Sequence, residues 1–193
     1  MELIRTEEDL QKADFARGAM LLVDKPADWT SFDVVNKVRG SLRRMLQVRK
    51  IKVGHSGTLD PAATGLLVLC TGKWTRQLHD LQGLDKRYDA VIELGAVTPS
   101  MDGETEVTER KPFEQITRTD IEHVLRLFTG DIAQVPPMYS AIKVKGTPLY
   151  KLARRGEELE LKARQVTVHE VALHEVTLPE VSLSVHCSKG TYI

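Results

Sequence analysis

Gly54-His55-Ser56-Gly57-Thr58-Leu59-Asp60-Pro61-Ala62-Ala63-Thr64-Gly65-Leu66-Leu67-Val68-Leu69-Cys70 changes character partway along. Residues 50–65, which take in its first part, have no sustained period, with glycine at 54, 57 and 65 and proline at 61, which marks a loop. Leu66–Cys70 is a short, unbroken apolar run that suits a buried strand. A loop feeding a core strand holds its side chains more firmly than a free loop does. Asp60 stands at such a point, kept extended by the proline that follows it. Gly54 and Gly57 allow tight turns or close approach of the backbone to a ligand. Thr58 can bond a local backbone group. The residues alone leave two readings open: a positioned carboxylate, or an ordinary turn in which Asp60 caps Ala62–Gly65.

On the N-terminal side, Ala19–Val23 reads as a buried strand, broken at Lys25-Pro26-Ala27-Asp28 because proline removes a ladder donor. Thr30 or Ser31 can cap the helix that follows. Its apolar positions Val34, Val35, Val38, Leu42, Met45 and Leu46 fall on one face, with basic residues on the other. On the C-terminal side, Lys73–Leu81 reads as helix and Tyr88–Leu94 as strand. Thr119-x-x-Glu122 is a capping-box pattern ahead of another helix, with Gly130 closing it. Residues 134–164 differ in texture, with Pro136-Pro137, an extended Tyr139–Val144 and a short basic helix at Leu149–Arg155, and read as an excursion from the core. Val166–Leu173 and Val181–Cys187 read as strands, the second alternating apolar with polar. Strands and helices interleave without a βαβ beat, which predicts an α+β fold with a mixed, mostly antiparallel sheet.

The length of 193 residues suits one domain of ordinary size, or one domain plus a small appendage, and residues 1–193 are read as one domain. No apolar run approaches the roughly 20 residues needed to cross a bilayer, so no membrane partner is expected. Met1–Asp9 is acidic and lacks the layout of a secretion signal, which predicts a cytoplasmic protein. Cys70 and Cys187 read as buried free thiols. The 27 basic and 27 acidic residues cancel, but unevenly. Lys37–Lys52 holds seven basic residues and no acidic one; Lys143–Arg164 holds seven against three; Asp102–Glu122 holds seven acidic against three basic. Such polarity fits a phosphate-facing side, and equally well a set of solvated faces.

Several chemistries are excluded. A phosphate loop would need glycine at Leu67 and Ser or Thr at Trp74. No G-x-G-x-x-G occurs. The six histidines show neither H-x-x-x-H nor H-E-x-x-H spacing, and His169 reads as a strand surface position, so no metal is expected. His55-Ser56-Gly57 is no nucleophile elbow.

The segment Gly54–Leu67 closely resembles the signature of the bacterial tRNA pseudouridine(55) synthases. Four further segments fit in the same order: Leu22-Val23-Asp24-Lys25-Pro26 with Trp29-Thr30-Ser31, Lys86-Arg87-Tyr88, Val135–Lys143, and Cys187-Ser188-Lys189-Gly190-Thr191-Tyr192-Ile193. The resemblance runs from about Gly18 to the last residue. It implies the pseudouridine synthase fold, isomerisation of the T-loop uridine at tRNA position 55, and no cofactor. It makes Asp60 the catalytic aspartate, as nucleophile or as base. Tyr88 becomes the aromatic that stacks on the target base, and Tyr192 the tyrosine that lies against the aspartate and assists proton transfer. His55, Gly57 and Thr58 fall on the RNA side. Lys25 and Pro26 support the active-site loop.

The excursion at about 134–164 resembles the family's insertion that grips the T stem-loop, with Lys143, Lys145, Arg154 and Arg155 as candidate phosphate contacts. Such contacts position RNA without reading its sequence, and binding through them weakens with salt. The family motif continues past Ile193 with an arginine that pairs with the aspartate, and the family carries a C-terminal RNA-binding extension. Without them this chain, expected to be a monomer, is expected to turn over weakly or not at all. The rival reading is a module that binds or folds the T-arm without chemistry.

Overall fold

The computed structural model describes residues 2–4 and 6–193. The chain divides into two compact units, Met1–Leu84 and Asp85–Ile193.

In the first unit, β1 (Glu2–Ile4), β2 (Ala19–Lys25), β3 (Val53–His55) and β4 (Gly65–Thr71) form one sheet in the order β1-β2-β4-β3. The β1–β2 pair is parallel and the others are antiparallel. The apolar run that predicts a strand over 66–70 lies inside β4, which runs antiparallel to both β2 and β3. A short helix, α1 (Glu7–Lys12), is capped by Thr6. The long helix α2 (Ser31–Met45) is capped by Thr30, whose side chain and that of Asp33 satisfy each other's backbone N–H. Those bonds hold the Asp33 carboxyl below the usual carboxylate range. Val34, Val35 and Leu42 of α2 are buried with Leu21, Leu67 and Leu69 in the core of this unit. Each contributes on the order of 1.5–3 kcal/mol by leaving water. Met45, expected on the same face, is 49% exposed at the helix end.

The helix expected over Lys73–Leu81 is split into a 3₁₀ helix (Gly72–Gln77) and α3 (Leu78–Gln82). Thr71 stands at the cap position, but its hydroxyl is committed elsewhere: it donates to Phe15 O and accepts from Ala19 N.

The second unit is built on another four-stranded sheet, β5 (Lys86–Glu93), β12 (Glu180–Cys187), β11 (Arg164–Thr177) and β8 (Gly130–Gln134), in that order and antiparallel throughout. β6 (Ala96–Val97) pairs with β7 (Glu109–Arg110). Val168, Leu183, Val185 and Cys187 form its core cluster, with Leu125 of α4 (Arg118–Leu127) packed against it. The cap of α4 lies two residues earlier than Thr119: Thr117 and Asp120 form the capping box. Glu122 pairs instead with Arg118, one turn back, at 2.9 Å. Gly130 does not close α4 but opens β8 at φ 99°, after Phe128 has ended the helix.

β8 ends at Gln134, which pairs with Arg164 at the start of β11. The chain between them leaves and returns at a paired position. Within it, β9 (Lys143–Val144) and β10 (Thr147–Pro148) form a hairpin. Its two-residue tip, Lys145-Gly146, takes positive φ at both positions, as the twist of a tight hairpin demands. Helix α5 (Leu149–Ala153) follows directly. The α+β fold expected from the sequence is the one found. Among the described residues no helix is long and apolar enough to cross a membrane.

Candidate active site

Asp60 lies in the connection between β3 and β4, which pair antiparallel from Val53↔Thr71 to His55↔Leu69. Ser56 N donates to Val68 O and continues the pairing one step. Gly65 begins β4 at φ 111°, a conformation that side-chain-bearing residues rarely adopt. The loop between these ends is held on both sides of Asp60. On one side, Leu59 N donates to Ser31 Oγ (2.9 Å) and Ser31 Oγ donates to Leu59 O (3.2 Å). On the other, Pro61 O accepts from Asp28 N (2.9 Å) and from Lys25 Nζ (3.1 Å). Asp60 itself is exposed, and its carbonyl accepts from Ala63 N to close a turn. An exposed carboxylate thus sits on a backbone fixed at both neighbouring residues.

Lys25 is the buried half of this clamp. It is 0% exposed at the end of β2. Its ammonium donates to Pro26 O (2.9 Å), Trp29 O (2.6 Å) and Pro61 O (3.1 Å). Three acceptors meet its three donors, which offsets the several kcal/mol that an isolated buried charge would cost. Ser31 is the residue that sequence reasoning missed in this role. The only signal was a surplus: Thr30 and Ser31 can both cap α2, only Thr30 does so, and the hydroxyl of Ser31 is left for the loop.

His55 folds back on the same loop, its Nδ1 at 2.6 Å from Gly57 O. With Nδ1–H donating to that carbonyl, Nε2 remains as the other nitrogen for an outside partner. A Cβ built on Gly57 meets nothing within 4 Å, so packing inside the protein does not require glycine there. Thr58 is exposed, and its hydroxyl has no partner among the described residues; the local backbone bond expected of it is absent. Lys25, Pro26, His55, Gly57, Thr58 and Asp60 therefore all belong to the first unit.

The other expected site residues belong to the second unit. Tyr88 lies on β5 opposite Val185 of β12 and is half-buried against the cluster of Val168, Leu183, Val185 and Cys187. Burial lowers the ammonium pKa of Lys86, two residues earlier, while the nearby Asp85 carboxylate acts the other way. Tyr192 is gripped by the side chain of Gln134: Nε2 donates to Tyr192 O (2.8 Å), and Oε1 accepts from Tyr192 N (2.9 Å). Lys143, Lys145, Arg154 and Arg155 are exposed on the excursion. Arg154 stacks over Tyr150 at 5.7 Å, and Arg155 stands 3.9 Å from Glu157.

Residues 43–193 match the profile of the TruB family pseudouridylate synthases (N-terminal domain). The tRNA pseudouridine synthase B of Parabacteroides distasonis is 51% identical over 180 residues, covering 93% of this chain and 77% of that protein. The protein of the same name from Flavobacterium johnsoniae is 46% identical over 181 residues, covering 93% and 79%. Among solved structures, the chain resembles one in a Cbf5-Nop10-Gar1 complex with TM-score 0.64 and 26% identity, covering 93% of this chain and 42% of that one. One in an H/ACA RNP bound to a substrate RNA containing 2'-deoxyuridine has TM-score 0.60 at 23% identity, covering 92% and 40%, a likeness of fold alone.

Proposed function

The chain belongs to the TruB family of pseudouridylate synthases, and on that premise we propose that it isomerises the T-loop uridine at position 55 of tRNA to pseudouridine. The observation that carries this reading is the clamped loop: Asp60 presents an exposed carboxylate from a backbone tied down by Ser31 on one side and by Lys25 on the other. The reaction breaks the bond from the sugar to a ring nitrogen and makes one to a ring carbon. The carbon gives up its hydrogen as a proton and the freed nitrogen takes one up, so atoms balance with no oxidant, reductant or group donor, and no cofactor is called for. One carboxylate suffices, attacking the sugar as nucleophile or taking its proton as base. Tyr192 is assigned to assist proton transfer in this reading. The expected site is the pseudouridine synthase domain over residues 1–193, acting in the cytoplasm as a monomer.

Isomerisation by this domain requires a uridine drawn out of its stack, and Tyr88 supplies a ring to replace the lost stacking. Base–aromatic stacking contributes about 1–3 kcal/mol, so Tyr88→Ala should lower kcat/KM by roughly 5- to 150-fold. Tyr88→Phe keeps the ring and should lose much less. Equal losses for the two variants would remove stacking as the role of this residue.

His55, Gly57 and Thr58 line the RNA side in this reading. The excursion at 134–164 grips the T stem-loop, with Lys143, Lys145, Arg154 and Arg155 on phosphates. The test is release of tritium from the reacting ring carbon of a T stem-loop RNA. Turnover of that RNA is the expected result. Tight, salt-sensitive RNA binding with no tritium release would favour the rival, a T-arm binding module without chemistry.

A further inference from the structure

Three side chains outside the clamped loop converge on the second sheet, away from its core cluster. His169 is on β11, His186 on β12, and Asp85 stands immediately before β5, so three adjacent segments of one sheet contribute one group each. The convergence depends on an irregularity. Val168 pairs with Cys187 and Glu170 pairs with His186, which leaves His169 as an extra residue between two paired ones. Such a bulge re-aims the side chain it carries. Val168 and Cys187 point into the core cluster, while His169 is exposed beside the half-buried His186, their ring centroids 4.8 Å apart. Nε2 of His169 stands 3.1 Å from Asp85 Oδ2. One ligand atom from each of the three residues lies within 4.8 Å of the other two.

The geometry points to a transition-metal site at Asp85, His169 and His186, taking an ion of the zinc class with the fourth position left to water. Around a tetrahedral zinc with bonds of about 2.0 Å, ligand atoms stand roughly 3.3 Å apart, so the group must contract by about 1.5 Å. Asp85 and His169, with side chains 48% and 36% exposed, are free enough to close that gap. Two imidazoles and one carboxylate select zinc, cobalt or nickel over magnesium and calcium, which prefer oxygen. Arg87, paired with His186 across the strands, and Lys86 add positive charge nearby. The ion must therefore be one whose bonds to nitrogen outweigh that repulsion. Sequence spacing hides this site, because its ligands lie 17 and 84 residues from His169 and meet only through the strand pairing.

The site is independent of the chemistry at Asp60 and is tested without RNA, by titrating the purified, metal-free chain with Co²⁺ and Zn²⁺. One equivalent of Co²⁺ is expected to bind with a visible absorption band that Zn²⁺ abolishes, while Mg²⁺ at the same concentration has no effect. His186→Gln and Asp85→Asn should each weaken binding by about tenfold or more. Asp85 precedes its strand, so the second variant keeps the sheet intact even where the first disturbs it. Absence of stoichiometric binding, or binding that both variants leave unchanged, would overturn the assignment and leave Asp85–His169 as a plain ion pair.

Discussion

Asp60→Asn should lower tritium release about 10⁴-fold, the scale seen when one member of a catalytic group is removed, and leave affinity for the T stem-loop unchanged. The reasoning separates side chain from backbone. Ser31 holds Leu59 through that residue's N–H and carbonyl, while Lys25 and Asp28 hold the carbonyl of Pro61. These contacts are made to the neighbours' backbone, so asparagine leaves the clamp untouched and nearly fills the same volume. It removes the negative charge and with it any ability to attack the sugar or take its proton. A tenfold fall or less would remove Asp60 from the chemistry. A parallel loss of binding and turnover would make it a binding residue instead. Only the split between the two supports a nucleophile or base.

Much of the scaffold is legible in the residues because it follows from local pattern. Leu66–Cys70 reads as a buried strand and lies within β4, where Leu67, Leu69 and Cys70 are buried but Leu66 is exposed, and the proline at 26 marks the end of β2 at Lys25. What is not legible is the choice among equivalent partners. Thr117-x-x-Asp120 and Thr119-x-x-Glu122 are the same capping pattern two residues apart, and the second is lost because Glu122 bonds Arg118. Thr30 and Ser31 are interchangeable as caps until the fold brings Leu59 beside Ser31, 28 residues away. Gln134 has no signal as the holder of Tyr192, which is 58 residues distant. The motif resemblance singles out Asp60 and Lys25, but the physical reason for Lys25 appears only in three dimensions. A lysine in a sequence reads as surface; this one is sealed.

That burial gives the second large effect. Lys25→Met should cost about 2–4 kcal/mol, because methionine fills the volume but offers no donor, and the part-buried carbonyls left without partners each cost about 1–2 kcal/mol, toward the lower end for such groups. The carbonyls of Pro26 and Trp29 lose the bond from Nζ, whereas Pro61 O keeps its bond from Asp28 N. Removal of the buried ammonium offsets part of the loss, since that charge no longer has to be taken out of water. A chain of this size should therefore melt several degrees lower, at about 2–4 °C per kcal/mol. The functional loss should be larger than the stability loss. With one of the two ties on Pro61 gone, the loop can shift, and displacement of a reacting group by about 1 Å can cost on the order of 100-fold in rate. Measured well below the melting temperature, where the variant is fully folded, kcat should fall while RNA affinity holds. A variant that melts early yet turns over normally would make Lys25 a folding residue only. One that melts and turns over like the wild type would mean that the clamp on Asp60 depends on Ser31 and Asp28 alone.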